Sequence, residues 1–103
     1  MNSYLLSYNP FGLKVTPSQL LGFIRDNRKI FQWYSPFAGT YILKSADTAY
    51  SLSESFRTQF EGDLFIVSAI NPPAVGGALP IEVWNWMTVN GLASAFVGPP
   101  TTL

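Results

Sequence analysis

Six carboxylates, Asp26, Asp47, Glu54, Glu61, Asp63 and Glu82, are the residues of this chain best suited by type to acid–base chemistry. Such chemistry needs two of them facing across a cleft, or one held in an unusual environment. Their spacing brings no such pair together. Asp47, Glu61 and Asp63 fall at the ends of a predicted helix, and Glu82 falls in the first turn of another; capping and the helix dipole account for charges at such ends. The chain has no histidine and no cysteine. Histidine triads, imidazole metal ligands, thiolate nucleophiles, disulfides and zinc–sulfur sites are therefore excluded. Serines are frequent, but without histidine a serine nucleophile needs a lysine base, and no motif surrounds Lys14 or Lys44. Gly76-Gly77 is not followed by the Lys-Ser/Thr of a phosphate loop. No cofactor is expected.

Charge says more about partners. Six Lys/Arg balance six Asp/Glu, and charged residues make up only 12% of the chain against 48% hydrophobic. A protein that grips phosphates carries a basic excess, which is missing here. One local cluster, Arg25, Arg28 and Lys29, reads as the solvated end of a helix, where cations complement the dipole. So uncharged a surface predicts that apolar area on the monomer is buried against a partner. Residues 1–10 lack the basic and apolar regions of a signal peptide. No apolar run reaches the roughly 18 residues that span a membrane. The expected location is the cytoplasm.

The elements that position these residues follow from periodicity and punctuation. Residues 3–8 read as a strand, stopped by Asn9-Pro10-Phe11-Gly12. Thr16, Pro17 and Gln19 form a capping box with proline at the first helical position, and Leu20, Leu21 and Ile24 follow at helical spacing. Residues 30–34 and 37–44 are two further strands, with a turn or bulge at Ser35-Pro36. Ser45 is the expected N-cap of the next helix, with Asp47 in its first turn; Ala49, Leu52, Phe56 and Phe60 form its apolar stripe and Gly62 its left-handed cap. Leu64 to Ile70 is a continuous apolar run, read as a central, buried strand. A loop over 71–79 leads to a short helix from Pro80 to Asn90, ended by Gly91, and an apolar tail over 92–103.

The order β, α, β, β, α, β predicts a single α+β domain of the ferredoxin-like kind over residues 1–103. Its core is residues 3–70 and its extension residues 71–103. Four antiparallel strands carry both helices on one face, and the first and last strands are expected at the centre. The other face is helix-free and partly apolar. A second copy of the chain, or the chain's own Trp84/Trp86 helix and tail, must cover it. Phe31, Trp33, Tyr41, Trp84 and Trp86 are the expected interface residues. A sheet of this topology can also stack bases on aromatics, here Phe31, Trp33, Tyr34, Phe37 and Tyr41. The Lys-Gly-Phe-Gly-Phe type of run that marks such RNA binders is missing, and aromatics in strands serve packing more often than base stacking, which weighs against this reading without deciding whether nucleic acid is bound.

The SYLLSYNP of residues 3–10, the elements after it and the closing FIVSAI of residues 65–70 resemble the small ferredoxin-like CRISPR-associated adaptation subunit family, its endoribonuclease-like members and their uncharacterised bacterial relatives. The resemblance implies a homodimer in which C-terminal segments complete the partner's sheet. It also implies a divalent metal held by an aspartate that ends the first strand. Asn9 stands at that position, and a neutral amide is a weak ligand where metal-assisted hydrolysis needs anionic oxygens. Asn-Pro is also a common turn opener. The reading is therefore a non-catalytic, dimeric domain acting through protein–protein contact. Its alternative is a divergent metal-dependent nuclease-like or nucleic-acid-binding protein. A weaker third reading places a small ligand between the sheet and the Trp84/Trp86 helix.

Overall fold

The computed structural model describes residues 1–71 and 74–88. The elements are β1 (Asn2–Tyr8), α1 (Pro17–Asp26), β2 (Gln32–Phe37), β3 (Thr40–Ser45), α2 (Ala49–Phe60), β4 (Phe65–Ile70) and α3 (Ile81–Thr88). The expected ends of the last helix at Asn90 and Gly91, and the tail over 92–103, lie outside the described residues.

The strands form one antiparallel sheet in the order β2-β3-β1-β4. Two interleaved β-α-β units produce this order. α1 carries the chain from β1 over β3 to β2, and α2 carries it from β3 over β1 to β4. This is the ferredoxin-like α+β fold expected from the element order. One expectation is corrected: β1 and β3 are central, and β4 is an edge strand. Each crossover must step over one strand, which leaves the last strand outside. The apolar run of β4 has a different cause. Phe65 and Val67 pack against the core beneath the helices, while Ile66 points away from it and stays exposed. Periodicity cannot separate an edge strand apolar on both faces from a buried central one.

Local chemistry sets the helix boundaries. Gln19 N donates to Thr16 Oγ1 at 3.1 Å and Thr16 N to Gln19 Oε1 at 3.0 Å, which closes the capping box of α1. α2 starts later than expected: its N-cap is Thr48, whose Oγ1 accepts from Ser51 N at 3.1 Å. Ser45 is instead the buried last residue of β3, and its Oγ accepts from Asp47 N at 3.0 Å. At the other end Glu61 itself is the left-handed cap (φ 47°), and Gly62 follows at φ 92°.

The β2–β3 turn lies at Ala38-Gly39, and Ser35-Pro36 is a bulge within β2. Ser35 Oγ donates to the carbonyls of Phe37 (3.1 Å) and Thr40 (2.8 Å), holding the bulge closed. Gly39 is required where it stands. Its φ is +91°, and a Cβ there would lie 2.8 Å from the Tyr8 carbonyl oxygen.

The main core lies between the sheet and α1/α2. Leu20 and Ile24 from α1 and Leu52, Phe56 and Phe60 from α2 meet Tyr4, Leu6, Tyr41 and Leu43. Phe60 stacks on Phe65 with centroids 4.7 Å apart, and meets Tyr8 at 5.2 Å. A second cluster lies on the opposite face, where Val83, Trp86 and Met87 of α3 pack on Ile42 beside Leu5, Tyr34 and Ile70. The helix-free face is thus covered at one end by the chain's own last helix.

Candidate functional site

α3 is eight residues long, too short to hold its shape alone. Buried polar links join it to the sheet. Gln32 and Lys44 pair across β2 and β3, and Ser3 and Lys44 across β1 and β3, so all three lie in one row under the helix. Lys44 Nζ donates to the Trp86 carbonyl and stands 5.3 Å from the centroid of the Trp86 ring. Trp86 Nε1 donates to Gln32 Oε1 at 2.7 Å, and Ser3 Oγ makes a long 3.5 Å bond to the Met87 carbonyl. A cation at the C-terminal turn of a helix meets the negative end of its dipole. Burial holds the Lys44 ammonium below the usual lysine range. Sequence reasoning missed this row, since a lysine in a strand carries no signal of burial. It does place a serine beside a lysine, the one pairing a histidine-free nucleophile needs. Both side chains, however, bond helix carbonyls and are buried beneath α3.

Beyond α3 the same sheet face opens into an apolar pocket of about 390 Å³. Leu5, Ile42 and Ser68 contribute to its floor, and Trp84 and Met87 line it from α3. Backbone of the Gly76-Gly77 linker closes another side.

β4 pairs only with β1 among the described residues, so its outer edge carries no strand. Leu64 is 89% exposed and Ile66 63% exposed, and the strand holds no charge, proline or bulge. The other edge, β2, is interrupted by Pro36 and its bulge, devices that discourage strand pairing.

The five expected interface residues are scattered. Tyr41 is fully buried in the main core, and Trp86 is buried between α3 and the sheet, so neither is presented at the surface. Trp33 packs against the main core, and its buried Nε1 has no hydrogen-bond partner among the described residues. Trp84 is half-buried at the pocket, and Phe31 is 46% exposed beside Lys29, Ala46 and Asp47.

Asn9 is exposed at the end of β1, and its Oδ1 accepts from Phe11 N at 3.0 Å, an Asx-turn. A neighbouring hollow is lined by Tyr8, Pro10, Phe11 and Leu13 and carries no carboxylate. Burial, and then the nearby Tyr41, push the Tyr8 hydroxyl up to about 12. Among the described residues no three of His, Cys, Asp and Glu cluster as metal ligands. Four of the six carboxylates pair with cations instead. Asp63 meets Lys14 at 3.5 Å, Asp47 meets Lys29 at 3.4 Å, Asp26 meets Arg25 at 3.3 Å, and Glu54 meets Arg57. Hydrogen bonds from Ser51 and Thr48, with Lys29 alongside, hold the Asp47 carboxyl below its usual range. The basic cluster is divided in the same way, because Arg25 and Lys29 each face a carboxylate.

Among the described residues no helix is long and apolar enough to cross a membrane. The class these elements define is a ferredoxin-like α+β domain with a third helix clasped to its second face. No protein-family model, curated protein or solved structure matches the chain.

Proposed function

We propose that this chain is a non-catalytic domain that forms a homodimer and acts through protein–protein contact in the cytoplasm. The carrying observation is the β4 edge: six uncharged residues with their outer backbone groups unpaired by any described strand, Ile66 exposed among them and exposed Leu64 just before them. An unguarded apolar edge is a template for strand addition. Two copies of β4 can pair antiparallel without bringing like charges together, and a two-fold interface is the commonest solution for such a surface. The chain's low charge supports the same reading.

The resemblance of the first strand to the adaptation subunits enters this reading as a kinship in build. The rival reading, a divergent nucleic-acid-processing protein, draws support from the shared element order. It draws none from Asn9, whose amide is engaged in its own turn, or from Arg25 and Lys29, each already facing an acid.

Sedimentation equilibrium on the full chain at micromolar concentration tests the proposal. A dimer is expected, and Ile66→Lys, which places a charge on the exposed edge, should return it to monomer with its thermal midpoint little changed. A wild-type chain that stays monomeric at high micromolar concentration overturns it.

A further inference from the structure

The pocket between the sheet and α3 has the character of a ligand site in its own right. Its volume, about 390 Å³, falls within the roughly 300–1,000 Å³ of small-molecule sites. No charged side chain is among its described lining residues. A charged ligand would lose its hydration there without a counter-ion, so the lining selects a neutral one. The floor is a cross-strand row, Leu5, Ile42 and Ser68, with Ile70 beside it on the same face of the sheet. The Trp84 ring adds a planar wall, and the Met87 thioether is a group that favours aromatic edges. Thr40 and Ser68 add hydroxyls able to fix one polar atom.

We infer that this pocket binds a small, neutral, flat aromatic molecule, lying on the sheet floor beside Trp84. The inference stands apart from the dimer, because the pocket is built within one chain.

Titration of the full chain with N-phenyl-1-naphthylamine, a neutral aromatic dye that brightens on leaving water, tests it. Saturable binding of one dye per chain is expected, with energy transfer from tryptophan. Two blocking substitutions come from different walls. Ser68→Phe fills the floor from an exposed position, and Gly76→Phe enters from the linker, where a Cβ meets nothing within 4 Å. Each should weaken the dye by about ten-fold or more while the thermal midpoint holds. Failure to saturate overturns the inference. Binding that survives both substitutions also overturns it. So does binding that falls as protein concentration rises, since a second copy would then be the occupant. Sedimentation of the same samples reads the dimer separately.

Discussion

The ammonium of Lys44, on the central strand β3, donates to the main-chain carbonyl of Trp86 at the end of α3. A fully buried lysine thus joins the sheet to a helix that the two crossovers do not require. Apolar packing by Val83, Trp86 and Met87 pulls α3 onto the sheet. Apolar contact alone would tolerate several placements; the Lys44, Gln32 and Ser3 bonds select one, because each buried polar group must find its partner. The selected placement covers one end of the face and leaves the pocket beside it.

Lys44→Ala should therefore cost about 2–4 kcal/mol, from the cavity and the orphaned Trp86 carbonyl together. Lys44→Met refills most of the volume and should cost about half as much. Urea denaturation followed by tryptophan fluorescence measures both. Equal losses in the two variants would show that the hydrogen bond, not the packing, dominates.

The pH dependence of stability has a sign fixed by two groups. Folded Lys44 binds its proton less tightly than the unfolded chain, whose lysine keeps 10.5, so its contribution rises with pH up to that value. Tyr8 acts in the opposite direction. Its hydroxyl ionises at about 12 when folded against 10.0 when unfolded, so the folded state holds the proton longer. The Tyr8 contribution is complete below pH 10 and is lost as pH rises towards 12, a fall of about 2 kcal/mol. Denaturation midpoints across this window should fall in the wild type, and Tyr8→Phe should flatten the fall.

Two glycines with nearly equal φ separate strain from crowding. Gly62 (φ +92°) has open space where a Cβ would stand, whereas at Gly39 (φ +91°) the Cβ meets the Tyr8 carbonyl at 2.8 Å. Gly62→Ala should cost only the left-handed backbone, about 1 kcal/mol. Gly39→Ala should cost more, about 2–4 kcal/mol, since the hairpin must also move off β1. Thermal melts of the two variants under one condition make the comparison.

Helix α1 was legible in the sequence because Thr16, Pro17 and Gln19 act on their own neighbours. The stripe Leu52, Phe56 and Phe60 was legible because one face of a helix repeats. What escaped depended on distant chain. The edge position of β4 follows from crossovers, and an apolar strand reads alike at edge and centre. The start of α2 went to Thr48 because Ser45 was still in β3, whose length is set by pairing with β1. Tyr41 and Trp86 of the expected interface set are buried within one chain for a related reason: composition names aromatic residues but cannot say which face of the sheet receives them. Lys44 has no motif around it in the sequence, and its burial comes from α3, a helix far along the chain.

The proposed dimer carries a signature in salt. β4 holds no charged residue, and the charges beside it, Arg57 and Asp63, border a hollow next to its first residues. Raising NaCl from about 0.1 M to 1 M shortens the screening length from about 10 Å to 3 Å and weakens contacts between exposed charges. An interface made of strand hydrogen bonds and the Leu64 and Ile66 side chains has no such contacts to lose. Its dissociation constant should hold or tighten across that range, read by sedimentation equilibrium. Association that weakens several-fold with salt would move the interface to charged surface such as Arg25, Arg28 and Lys29, and Ile66→Lys would then leave it intact.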